Sequence, residues 1–181
     1  MSNFTKSKKR VDPATKADIM RYTPNSLSFW LCVLAIVLDV IMFLIIYRQT
    51  DCVPNYLLGI DLIINVVYML AGFLLAEKQK AYLGKFGYFS IGLGIIEILR
   101  IFCIPLYYYL KHVEYIKEYN LALESGTDFV FTGIKGLPTN EFIWCVALMV
   151  LSGICLILAG VFTIIKEKKL IEYKNNLGGT K

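Results

Sequence analysis

The chain has 181 residues, of which 57% are hydrophobic and only 18% are charged, and its mean hydropathy is +0.59. This composition excludes an ordinary soluble domain, in which apolar and polar residues alternate so that each element has a solvent face. The formal net charge of +5 would suit a nucleic-acid partner, but no nucleic-acid motif accompanies the basic residues. We therefore expect the partner to be the lipid bilayer, with anionic headgroups at the basic tails.

Four long apolar blocks follow one another along the chain, and each can cross a hydrocarbon core of roughly 30 Å at about 1.5 Å per residue. Spanning β-strands would be about ten residues long and would alternate, so these blocks predict helices. The predicted fold class is all-α: a polytopic membrane protein whose residues 26–165 form an antiparallel bundle of four transmembrane helices. The predicted spans are 26–47, 55–76, 87–110 and 141–165.

The basic residues predict the orientation, because Arg and Lys beside a membrane segment are retained on the cytoplasmic side. Fourteen of the 19 Lys and Arg residues lie in 1–25, 166–181 or the loop between the second and third spans; four lie in the other loops, and Arg100 lies within a span. Both termini are therefore predicted to be cytoplasmic basic tails, and 111–140 an outer loop. We expect the protein in the plasma membrane.

The first half of the outer loop is predicted to continue the third helix beyond the membrane. Apolar residues keep helical spacing from Tyr109 through Val113, Ile116 and Tyr119 to Leu123, and Gly126 then favours a helix end. This apolar stripe needs cover. A lid folded over the bundle, lipid or a dedicated partner surface would each supply it.

The chain offers little catalytic or metal-binding chemistry. Its one histidine, His112, has no second ligand near it in the sequence, and no phosphate-binding loop or nucleophile elbow is present. The cysteines form no CxxC pair, so we expect no metal and no cofactor; they are either small packing residues or include one outer disulfide. We expect a non-enzymatic protein, although an intramembrane enzyme could use buried carboxylates as acid and base. The cysteines are Cys32, Cys52, Cys103, Cys145 and Cys155.

Small and polar residues recur at helical spacing on each predicted span and form one seam per helix. Helices in lipid associate through close backbone approach at small residues and through interhelical hydrogen bonds, so the seams are predicted to face inward. The four seams are Ser28, Cys32, Ala35 and Asp39; Asp61, Asn65, Tyr68 and Gly72; Gly87, Ser90, Gly94 and Glu97; and Ser152, Cys155, Ala159 and Thr163.

Five polar residues are predicted to share one depth, within roughly 7 Å of the bilayer midplane when counted at about 1.5 Å per residue. An ionised side chain facing lipid there costs about 2.5 to 3.5 kcal/mol, so these side chains should face one another. Three carboxylates outnumber one guanidinium, and we therefore expect the layer to hold one or two protons or a bound cation. This polar layer consists of Asp39, Asp61, Asn65, Glu97 and Arg100.

Arg100 is the only cation of the polar layer. Glu97 lies three residues earlier on the same helix and can pair with it. Pro105 has no N–H, which leaves the carbonyl of Ile101 without its helical donor. We therefore predict that Arg100 donates to that carbonyl as well.

Two functional hypotheses follow from the polar layer. In the favoured one it holds the helices in register in a non-enzymatic subunit or accessory protein, which assembles with a membrane-protein partner or as a homo-oligomer. In the alternative it is the site of a small proton-coupled or cation-coupled transporter. A transporter needs a water-accessible route to the layer, whereas an assembly protein can keep it sealed.

Overall fold

The structure is a computed structural model, and it describes residues 25–48, 55–131 and 133–178. Most of the predicted N-terminal tail, the last residues of the C-terminal tail and Cys52 lie outside the described residues. Within them the chain forms five helices and no strand. The helices are α1 (Ser26–Arg48), α2 (Asn55–Lys80), α3 (Gly84–Arg100), α4 (Pro105–Ser125) and α5 (Thr139–Gly178).

Four helical stretches of the described chain are long and apolar enough to cross a membrane. Helices α1, α2 and α5 each supply one, and α3 together with α4 supplies the other. The prediction of an all-α chain with four membrane-spanning helices is confirmed. Two helices are longer than predicted: α2 continues to Lys80, and α5 continues through residues 166–178, which were assigned to a tail.

The predicted third span is divided at Pro105. Helix α3 ends at Arg100, four residues form turns, and α4 begins at the proline, which cannot donate to the carbonyl of Ile101. The backbone N–H of Leu106 donates to that carbonyl instead, at 3.1 Å. Arg100 Nη2 donates to Asn65 and Asp39, and its Nε and Nη1 have no hydrogen-bond partner among the described residues, so the prediction that Arg100 donates to Ile101 is wrong. Helix α4 extends the third span as predicted and ends at Ser125, and the next residue, Gly126, has a φ of 63° in the left-handed region.

Helices α3 and α5 make the most extensive contact in the bundle, and glycines allow it. A Cβ on Gly94 would lie 2.6 Å from the carbonyl oxygen of Gly153, and one on Gly87 would lie 2.8 Å from that of Gly160. Any larger side chain at these positions would push the two helices apart.

The two ends of the bundle are closed by different residues. At the end where α1 begins, which we call the terminal end, the N–H of Asn25 donates to the carbonyl of Lys80 at 3.1 Å. At the opposite end, which we call the far end, Leu137 of the loop before α5 is fully buried. Its N–H donates to the carbonyl of Tyr108 at 3.0 Å, after Gly136 has turned the chain with a φ of 70°.

The return segment after α4 packs mainly on a face of that helix other than the predicted apolar stripe. Phe129 and Phe131 pack on Tyr115, with ring centroids 5.6 and 4.9 Å from its own. The predicted apolar stripe stays exposed, at 47% for Val113 and 71% for Leu123. The loop therefore covers the bundle at Leu137 and contacts the stripe at Tyr119, whose ring centroid lies 5.3 Å from that of Phe129. It leaves Val113, Ile116 and Leu123 exposed.

Candidate functional site

The seams predicted from spacing face the interior of the bundle, because all four residues of each seam are buried. Apolar residues on the opposite helix faces are exposed, as lipid-facing residues would be. Trp30, Ile63, Phe89 and Trp144, for example, are between 64% and 67% exposed. Hydroxyls of the seams also join helices: Ser90 donates to the carbonyl of Leu156 at 2.8 Å.

The guanidinium of Arg100 connects three helices. Its Nη2 donates to Oδ1 of Asn65 on α2 at 2.5 Å and to Oδ1 of Asp39 on α1 at 3.2 Å. Its Nη1 lies 3.3 Å from Oε2 of Glu97, one turn earlier on α3. Arg100 is 8% exposed and both carboxylates are at most 1% exposed, so these pairs are screened from solvent.

Local contacts orient the partners of Arg100. The Nδ2 of Asn65 donates to the backbone carbonyl of Asp61 at 2.8 Å, which turns the amide oxygen toward the guanidinium. The ring of Tyr68 lies on another side, with its centroid 5.3 Å from the guanidinium carbon. An aromatic face attracts a cation, so Tyr68 adds to the stabilisation of Arg100.

Hydrogen bonding within the polar layer is incomplete. Asp61 is 2% exposed, yet neither of its carboxylate oxygens has a hydrogen-bond partner among the described residues. The same holds for Oδ2 of Asp39, both oxygens of Glu97, and Nε and Nη1 of Arg100. The structure thus groups Asp39, Asn65 and Glu97 around Arg100 and leaves the carboxylate of Asp61 without an ion pair in the described part of the chain.

A second buried polar group lies at the terminal end, and we call it the terminal cluster. Asn25 Nδ2 donates to Ser28 Oγ at 2.8 Å and to Thr163 Oγ1 at 3.3 Å, and its Oδ1 accepts from Lys166 Nζ at 2.7 Å. Gln79 lies at the same end of the bundle, where its amide donates to the carbonyl of Phe86 at 3.3 Å and its Oε1 accepts from Cys32 Sγ at 3.4 Å. None of these side chains has a buried polar atom without a partner.

Sequence reasoning did not include Gln79, although a signal for it exists. It lies seven residues after Gly72, so an extension of the second seam by two turns reaches it. Gln79 was overlooked because it follows Glu77 and Lys78 in a segment assigned to the loop after the span. Its full burial shows that the bundle continues beyond the predicted end of the span.

Other candidate residues have ordinary structural surroundings. His112 Nδ1 lies 3.1 Å from the carbonyl oxygen of Lys135, where it fixes the loop against α4. In the described part of the chain no group of three His, Cys, Asp or Glu side chains is placed to hold a metal ion. The four described cysteines are free thiols; Cys103 is exposed, and Cys32, Cys145 and Cys155 are buried.

No family model, curated protein or solved structure matches this chain. Its function is therefore inferred from the geometry of the polar layer and of the surfaces around it.

Proposed function

We propose that this chain is a non-enzymatic subunit or accessory protein of a membrane complex, and that the polar layer holds its helices in register. The observation that carries the proposal is the guanidinium of Arg100, which binds Asp39 of α1 and Asn65 of α2 from its position on α3. A buried charge with partners on three helices favours one arrangement of the bundle, since any other leaves the charge unpaired.

Partner binding then falls to surfaces outside the seams, because the seams are buried within the bundle. The stripe of α4 at Val113, Ile116 and Leu123 is exposed beyond the predicted third span and is the apolar surface that such a partner would cover. The partner is a membrane protein or a second copy of this chain. We place α4 and its loop outside the plasma membrane and both termini in the cytoplasm, as the distribution of basic residues indicates.

Cysteine labelling tests this orientation. The test uses single cysteines at two positions that are exposed in the structure: Asp128, in the loop after α4, and Asn175, near the end of α5. In an otherwise cysteine-free protein, a membrane-impermeant maleimide on intact cells should label position 128 and not position 175. Labelling of position 175 in intact cells would overturn the orientation.

Copurification from native membranes in lipid nanodiscs tests the proposed role. A stoichiometric partner or a homo-oligomer should be recovered with the parent chain and lost when Ile116 and Leu123 are both changed to Ser. The matched control is Leu121→Ser, which changes an equally apolar, exposed residue on another face of α4. Recovery of the parent protein only as a monomer would contradict the accessory role.

The second candidate, a small proton-coupled or cation-coupled transporter, is favoured by one observation. Five carboxylate oxygens of Asp39, Asp61 and Glu97 have no hydrogen-bond donor among the described residues. Buried carboxylates in this state take up protons or cations readily. When a proton gradient is applied across liposomes that contain the protein, a pH-sensitive dye inside them should then report acidification. Glu97→Gln should abolish this dye signal while the protein stays folded. Equal signals from liposomes with and without protein would exclude proton transport.

A further inference from the structure

A cavity of about 280 Å³ lies beside the polar layer, between α2 and the junction of α3 with α4. Its walls come from the first three turns of α2 and from the residues around Pro105, where α3 and α4 are separated. Most of its lining is aliphatic or aromatic. The residues that matter for its chemistry are Ile60, Asp61, Ile64, Cys103, Tyr107 and Tyr108.

Among the described residues that line this cavity, Asp61 is the only charged one. It is 2% exposed, and neither carboxylate oxygen has a hydrogen-bond partner among the described residues. Asp39 and Glu97 differ from it, because both lie against Arg100. A buried carboxylate that has no internal partner and borders a cavity is suited to an external one.

From this geometry we propose that the cavity binds a small organic monocation, whose ammonium group pairs with Asp61 and whose apolar body packs against the aliphatic and tyrosine side chains. A single carboxylate supplies one counter-charge, whereas Ca²⁺ and Mg²⁺ need about six oxygen ligands or more. The rings of Tyr107 and Tyr108 offer aromatic faces that attract ammonium groups. The volume is just below the roughly 300–1,000 Å³ of pockets for drug-sized ligands, so the ligand is smaller than those.

The cavity is reachable from the lipid-facing surface of the bundle. Ile60 is 53% exposed and Tyr107 is 41% exposed, and Cys103 at the same opening is exposed as well. A cation with an apolar body enters the bilayer at a smaller free-energy cost than an inorganic ion does, so it can reach the opening of the cavity. Binding would also offset one of the unbalanced negative charges of the layer. The site requires neither the accessory role nor transport.

Equilibrium dialysis of the full chain in phosphatidylcholine nanodiscs tests the proposal with radiolabelled benzyltrimethylammonium as the probe. After subtraction of binding to protein-free nanodiscs, we expect one saturable site per chain. Asp61→Asn keeps the side-chain shape and should weaken binding by at least about tenfold, since a charge-assisted contact is lost. Ile64→Phe should also weaken it by filling the cavity. Glu118→Gln, which removes an exposed carboxylate of α4 outside the polar layer, should leave the affinity within about threefold.

Competition identifies the chemical class of the ligand. Unlabelled benzyltrimethylammonium should displace the probe, whereas neopentylbenzene, which has the same shape without the charge, should not. Thermal unfolding of each variant shows whether it is folded. Absence of saturable binding, equal binding by folded Asp61→Asn, or displacement by Na⁺ at the same concentration as the unlabelled probe would each overturn the proposal.

Discussion

The terminal cluster and the polar layer both lie inside the bundle, but they differ in how completely their polar groups are paired. In the terminal cluster Asn25 alone makes three side-chain hydrogen bonds, and no buried polar atom of the cluster is without a partner. In the polar layer, seven side-chain nitrogen and oxygen atoms have no hydrogen-bond partner among the described residues. The terminal cluster is neutral apart from Lys166, whereas the layer collects four ionisable side chains.

This difference separates two uses of buried polarity. A fully paired cluster adds stability and fixes the packing, and nothing more is needed to explain it. A charged layer with unpaired carboxylates costs stability unless protons or a cation neutralise it, and such a cost is characteristic of functional sites. Substitutions in the two groups should therefore change the stability of the bundle by different amounts. We expect the largest loss at Arg100 of the polar layer, an intermediate loss in the terminal cluster, and the smallest loss at Asp61, which has no partner in the layer.

The largest effect is expected for Arg100→Leu. Removal of the guanidinium leaves Asp39 and Glu97 without their cation, and the loss of one partner from a buried ion pair costs about 3–5 kcal/mol. Thermal unfolding in detergent should show a large drop in Tm. The matched control, Lys117→Leu, removes an exposed cation from α4 and should change Tm little.

A second substitution tests whether the layer acts as one unit. Adding Asp39→Asn to Arg100→Leu removes one of the carboxylates that has lost its partner, so part of the lost stability should return. If Arg100→Leu is as stable as the parent protein, the residues of the polar layer do not depend on one another for stability.

An intermediate effect is expected for Asn25→Ala in the terminal cluster. Three side-chain hydrogen bonds disappear, so that Thr163, which is buried, and Lys166, which is half-buried, each lose one partner. Each such bond contributes about 0.5–1.5 kcal/mol, so we expect a loss of about 1.5–4.5 kcal/mol by reversible unfolding in detergent. Asn175→Ala changes an exposed asparagine near the end of α5 and serves as the control. An equal loss in both variants would show that the terminal cluster does not stabilise the bundle.

The smallest effect is expected for Asp61→Asn. This substitution removes a charge that has no partner in the described chain, so the stability of the ligand-free protein should stay within about 0.5 kcal/mol of the parent or increase. The same unfolding measurement applies. A fall comparable to that of Arg100→Leu would mean that Asp61 belongs to the paired part of the layer, and the contrast between Asp61 and its neighbours would be lost.

The sequence predicts most of what depends on helical spacing alone. Seam residues such as Asp39, Ser90 and Thr163 could be placed inside because small and polar residues repeat with the period of the helix, and lipid gives them no other favourable position. The four spans are predicted from the length of the apolar blocks, because each is long enough to cross the hydrocarbon core. Neither conclusion requires knowledge of which helix is adjacent to which.

The features that the sequence does not predict depend on contacts between distant segments. Apolar periodicity continues across Pro105, so the sequence predicts a single helix for the span 87–110. The choice of Asn65 over the carbonyl of Ile101 as the acceptor for Arg100 depends on how α2 packs against α3. Depth alone likewise could not separate Asp61 from Asn65, which lie one turn apart on α2.

Helix α5 also has a mechanical consequence. Its predicted span ends at residue 165, and the remaining helical residues to Gly178 extend about 20 Å at about 1.5 Å per residue. The beginning of this extension is packed, since a Cβ on Gly84 of α3 would overlap the carboxylate of Glu167. A protein bound near Gly178 would therefore be held at a set distance from the end of the predicted span. Each residue inserted into the extension would both lengthen it and rotate that protein by about 100° around the helix axis.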